Sequence, residues 1–126
     1  MKKEIFAVLF LILMFVGAFL NIYYLDKLTG EIIIMVNDAE RLAGDEKWGD
    51  AARKAEEAVA KWIKSDTYTH LLLHHAEIDS VTDALHDMQK EIYSVNSGAA
   101  LGAAKLAVAH LKDIAKMEHI NLGSIF

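Results

Sequence analysis

Cysteine and proline are both absent from this 126-residue chain. Without cysteine there is neither a disulfide framework nor a thiolate metal site, so a domain outside the cytoplasm has to hold together by packing. Without proline nothing breaks a helix from within, and long uninterrupted helices are open to the chain. Cationic charge is also scarce. Lys2, Lys3 and Glu4 precede an apolar run, and the other 11 of 13 basic residues face 17 of 18 acidic ones, leaving the remainder at net −6 with histidine neutral. Such a domain is repelled by nucleic-acid phosphates and by anionic lipid heads, which excludes nucleic acid as a partner.

Catalytic signatures are missing too. There is no glycine-rich phosphate loop, no nucleophile elbow and no His-Glu-x-x-His, so phosphoryl transfer, acyl transfer and zinc proteolysis lose their usual local signals. The reading is a non-enzyme with no cofactor.

What the chain does have is one long apolar stretch. Ile5 to Leu25 contains no charged residue, and about 21 residues at 1.5 Å each span roughly 31 Å, close to the hydrocarbon thickness of a bilayer. Tyr23 and Tyr24 fall where an interfacial aromatic belt belongs, and Lys2 with Lys3 places the N-terminus in the cytoplasm by the positive-inside rule. Val16-Gly17-Ala18 also satisfies the small-residue rule for signal cleavage after Ala18. Hydrophobicity continues through Phe19, Leu20, Ile22 and Leu25, beyond what a cleaved peptide needs, so a retained anchor is the stronger reading.

The anchor helix is expected to run on. Leu25, Leu28, Ile32, Met35, Ala39 and Leu42 step by three and four, a seam continuing past the apolar run. Gly44-Asp45 reads as a stop followed by a new N-cap. A second helix is expected at 46–64, with Trp48, Ala51, Ala55, Val59 and Trp62 on one face. A third follows at 67–95 and, after the turn Asn96-Ser97-Gly98, a fourth at 99–118. Short loops joining four amphipathic helices predict an all-α fold, an N-terminal transmembrane helix continuing into an antiparallel four-helix up-down bundle. The division is 1–25 for cytoplasmic tip and anchor and 26–126 for an extracytoplasmic bundle.

Two sets of residues stand out as candidate sites. His75 takes a core-facing position, and Asp79, Asp83 and Asp87 follow in a carboxylate stripe. Like charges at that spacing cost about 0.2–0.5 kcal/mol per pair in an isolated helix. Lysines and Arg53 of the neighbouring helices are the leading candidates to offset them; a cation held by His75, Asp79 and Asp83 is the sharper alternative. His70 and His74, one turn apart, are the spacing of two metal ligands, but without further ligands they read as helix surface. Gly98 and Gly102 form a small-xxx-small pair that lets another helix approach closely, either within the bundle or from a partner.

Lys2-Lys3 before an apolar span, Asp45-Glu46-Lys47-Trp48 opening a helix and Trp62 closing it, His75-x-Glu77-Ile78-Asp79, and the ending Leu122-x-x-Ile125-Phe126 form one pattern. In it the chain resembles an uncharacterised family of short bacterial proteins, largely from Gram-positive lineages, classed as a domain of unknown function. The resemblance implies membrane anchoring and a helical extracytoplasmic domain, and it assigns no activity or site residue. The expected function is an accessory or interaction role: anchored in the bilayer through 5–25, the domain binds a multispan membrane protein or itself. The alternative is an extracytoplasmic sensor that takes a metal or small ligand.

Overall fold

A single helix, α1, runs unbroken over Lys2–Gly44 for 43 residues. The computed structural model describes the backbone of residues 1–65 and 75–125 and the side chains of 1–65 and 77–117. Three more helices follow, α2 at Trp48–Lys64, α3 at His75–Tyr93 and α4 at Ser97–Ile125, and no strand occurs among the described residues. The helices pack in a ring: α1 on α2, α2 on α3, α3 on α4, and α4 back on α1. The short connections after α1 and α3 fold each next helix back on its predecessor, giving the antiparallel up-down bundle.

α1 does two jobs along its length. From Ile5 to Leu20 its large apolar side chains are exposed on every side, Phe6 and Leu13 among the most open. From Leu25 onward it supplies the core seam, with Leu25, Leu28, Ile32, Val36, Ala39 and Ala43 buried. The seam differs from the expected one at two steps. Val36 and Ala43 take the innermost places, while Met35 and Leu42 pack beside them half-buried. α1 is flanked by both α2 and α4, so it needs an apolar stripe wider than a strict two-helix seam. Thr29 is buried within the stripe and satisfies its hydroxyl on the Leu25 carbonyl at 2.7 Å. α1 passes Gly30 without a break.

α2 presents Ala51, Ala55, Ala58 and Val59 inward, small residues that let it lie close to its neighbours, and Trp62 closes the face. The indole Nε1 of Trp62 donates to Thr82 Oγ1 at 2.9 Å, and that hydroxyl donates to the Ile78 carbonyl at 2.8 Å, tying α2 to α3. Nearer the far end of the bundle the Tyr93 hydroxyl donates to Glu56 Oε1 and accepts from Gln89 Nε2. The bond to Glu56 raises the Tyr93 pKa above its ordinary value, partly offset by Gln89. On α2 Arg53 meets Asp50 and Lys54 meets Glu57, each at 3.3 Å and i,i+3, while Lys61 reaches across to α1. α3 buries Ile78, Val81, Ala84, Leu85, Met88 and Ile92. α4 buries Ala100, Ala104, Ala107, Leu111 and Ile114, with Leu101 and Val108 half-buried beside them; Lys105 faces solvent.

The stops differ from expectation in an instructive way. Gly44 is the last helical residue of α1, and the left-handed position falls on Glu46 at φ 61°. Its N–H bonds the Ala43 carbonyl at 3.1 Å and the next N–H, of Lys47, bonds Leu42 at 2.9 Å, the paired closure of a Schellman motif. Asp45 therefore does not cap α2, whose preceding residue Lys47 makes no side-chain cap. α3 ends the same way. Val95 sits at φ 57°, with Val95 N–H on Ile92 and Asn96 N–H on Glu91, and Asn96 Oδ1 then accepts from Ala99 N–H to cap α4. A β-branched residue in this region carries about 1–2 kcal/mol of strain. Val95 is exposed and gives up little packing. Val95→Gly is therefore expected to stabilise the bundle by about 1 kcal/mol in a urea melt, because glycine takes the left-handed conformation freely.

Candidate functional site

α2 returns its C-terminal turn to the point where α1 leaves its apolar run. There a cavity of about 530 Å³ opens between the two helices. From α1 come Tyr23, Tyr24 and Lys27 at the rim and Leu28 beneath them; from α2 come Lys61, Lys64 and Ser65. Their convergence follows from spacing. Tyr23, Lys27 and Glu31 lie one turn apart along α1, and Lys61 and Lys64 share a face of α2. Lys61 Nζ bonds Glu31 Oε2 at 2.6 Å, clamping the helices across the cavity. This hydrogen bond lowers the Glu31 pKa below its ordinary value; desolvation opposes it, and the charges of Lys61 and Lys27 reinforce it. Ser65 turns its hydroxyl back onto the Lys61 carbonyl at 3.0 Å. Among the described residues no ion pair engages Lys27 or Lys64. Three ammonium groups against one carboxylate make this a cationic pocket on a protein of net charge −5.

The residues singled out from the sequence fall elsewhere. His75 opens α3, but its side chain, like all of His70 and His74, lies outside the described residues. Asp79 and Asp83 are exposed, as is Asp87. Among the described residues none of the expected ion pairs reaches the stripe; Lys54 and Lys61 of α2 are engaged with Glu57 and Glu31 instead. No group of three histidine, aspartate or glutamate side chains that could hold a metal ion occurs among the described residues. Gly98 and Gly102 are exposed, and a Cβ built on either meets no atom within 4 Å. Their smoothness is therefore not used for packing inside the bundle. Leu106 and Ala109 continue the same outward face.

The lysine pocket is the feature that reading the chain alone missed. A signal was present: the basic pair Lys61/Lys64 ends α2, and the up-down topology must bring that end beside Tyr23, Tyr24 and Lys27.

Fold and site together define an all-α bundle built onto a helix that is, among the described residues, the one long and apolar enough to cross a membrane. The chain belongs to the family described as a domain of unknown function, DUF4363, whose model matches residues 19–125, the C-terminal part of α1 and the other three helices. No curated protein and no solved structure matches it.

Proposed function

We propose that this protein is a single-pass membrane-anchored accessory protein without catalytic activity. Residues 5–25 enter the bilayer, Lys2 and Lys3 stay on the cytoplasmic side, and the bundle stands outside, binding a multispan membrane protein or a second copy of itself. The observation that carries this reading is the double character of α1. One continuous helix is apolar on every side up to Leu20 and then becomes the buried seam of the bundle. A helix apolar all round needs an apolar surrounding, and among the described residues no helix supplies one. The same continuity holds the bundle rigidly against the bilayer surface.

What supports association is the outward face of α4. Gly98, Gly102 and Ala109 leave it smooth, and Leu106 projects from it about half exposed. Such a surface admits a second helix at close range. Because the chain has no cysteine, single cysteines report contacts cleanly. In native membranes Gly102→Cys is expected to form a crosslinked species of higher mass with a bismaleimide, and Asp87→Cys on the exposed face of α3 is not. Uncrosslinked chain at both positions would count against the association.

A further inference from the structure

We propose that the pocket between Lys27 of α1 and Lys61–Lys64 of α2 binds the phosphate of an anionic phospholipid headgroup. The proposal rests on the membrane-anchored reading for its choice of ligand source, and on the pocket itself for its chemistry.

Three observations converge. The first is height: the pocket begins at Tyr23 and Tyr24, the last residues but one of the uncharged run, so in a bilayer it stands at the level of the headgroups. The second is charge. Lys27 and Lys64 are exposed and outside any ion pair among the described residues, and Lys61 is held in place by Glu31. Two uncommitted ammonium groups on facing helices suit an anion with several acceptor oxygens, and lysine is a common phosphate partner. The third is size and lining. A cavity of about 530 Å³ has room for a phosphate and its polar substituent. Leu28 gives it an apolar floor, and the tyrosine rings form an amphipathic rim beside the acyl region.

The net negative charge of the chain sharpens the argument. An acidic domain rigidly held against a bilayer is repelled by anionic lipid unless cations are placed at the contact. Lys27, Lys61 and Lys64 place three of the bundle's basic residues at the end that faces the apolar segment.

The test uses the full chain purified in dodecyl maltoside micelles, with bound lipid counted by native mass spectrometry. Phosphatidylglycerol should be retained in preference to phosphatidylcholine. Lys27→Gln with Lys64→Gln should weaken phosphatidylglycerol binding about 25-fold, about fivefold for each lysine. Lys105→Gln, an exposed lysine on α4, should leave it unchanged. Both pocket lysines are solvent-exposed, and an unchanged circular dichroism spectrum verifies that the variant is folded. Equal retention of the two lipids, or equal loss with Lys105→Gln, would overturn the proposal. Inorganic phosphate forms the third arm. If it displaces phosphatidylglycerol at equal concentration, the phosphate site stands and its source is the free anion. Alkaline carbonate extraction of membranes separates the two readings. A chain that is extracted yet binds phosphatidylglycerol in micelles keeps the site and loses the anchor; a chain that resists extraction but shows no lipid preference keeps the anchor and loses the site.

Discussion

Replacing Trp62 with alanine is expected to cost the bundle about 3–5 kcal/mol, the range for removing a buried aromatic side chain from a core. Trp62 is 3% exposed and is the buried one of the two tryptophans. Domains of this size have about 5–15 kcal/mol in total, so the loss takes a large share of the margin. Two terms add. The ring fills space between α2 and α3 that small alanines on α2 cannot close over, and its N–H leaves the Thr82 hydroxyl. Trp62→Phe separates them, keeping most of the volume and losing the hydrogen bond, at about 1–2 kcal/mol. Trp48 is half-buried at the start of α2, and Trp48→Ala should cost only about 1–2 kcal/mol. In thermal melts of the full chain in mild detergent, Trp62→Ala should lower the midpoint by at least about 12 °C. A shift like that of Trp48→Ala would show that the α2–α3 junction is not where the core is held.

Placing two arginines in the apolar half of α1 should detach the protein from membranes while leaving the bundle folded. Leu9 and Leu13 lie one turn apart near the middle of the run and are 51% and 69% exposed. In an apolar medium each arginine costs about 2.5–3.5 kcal/mol, whereas a leucine gains about 0.3–0.6 kcal/mol. The double change therefore removes about 6–8 kcal/mol of insertion energy. Wild-type chain should remain in the pellet after alkaline carbonate, and Leu9→Arg with Leu13→Arg should move to the supernatant. The bundle seam begins at Leu25, four turns further on, so its melting transition should be unchanged. A variant that stays in the pellet would show that the bundle, and not α1, holds the protein there.

The helices were legible because their signals are additive along many residues. Apolar steps of three and four, with no proline to interrupt them, gave four helices in the right order and an up-down bundle. Their ends were not legible, because a stop depends on one backbone conformation. Gly44 offered the obvious left-handed residue, yet the chain puts Glu46, two residues further on, in that conformation; at the end of α3 it accepts Val95 in the same role. The seam of α1 was displaced at Met35 and Leu42 for a related reason. Periodicity shows that a face is apolar, but which residue on it lies deepest depends on the angle of two flanking helices. The carboxylate stripe at Asp79, Asp83 and Asp87 was visible as a pattern, and its exposure shows that solvation moderates the repulsion. The expected helix-to-helix pairing is not made: Lys54 and Lys61 of α2 pair with Glu57 and Glu31 instead, and Lys64 lines the pocket beside α1. The cationic pocket could not be read from any one segment. It exists because Lys27 and Lys64, 37 positions apart, meet where α2 comes back to α1.

If α1 is a tether that leaves the bundle outside the cytoplasm, labelling of single cysteines tests it directly. Ser97 is exposed at the start of α4, at the end of the bundle away from the apolar run, and Lys2 is exposed on the other side of that run. In intact cells Ser97→Cys should react with a membrane-impermeant maleimide, and Lys2→Cys should react only after lysis. Labelling of Lys2→Cys but not Ser97→Cys in intact cells, or labelling of neither before lysis, would contradict it.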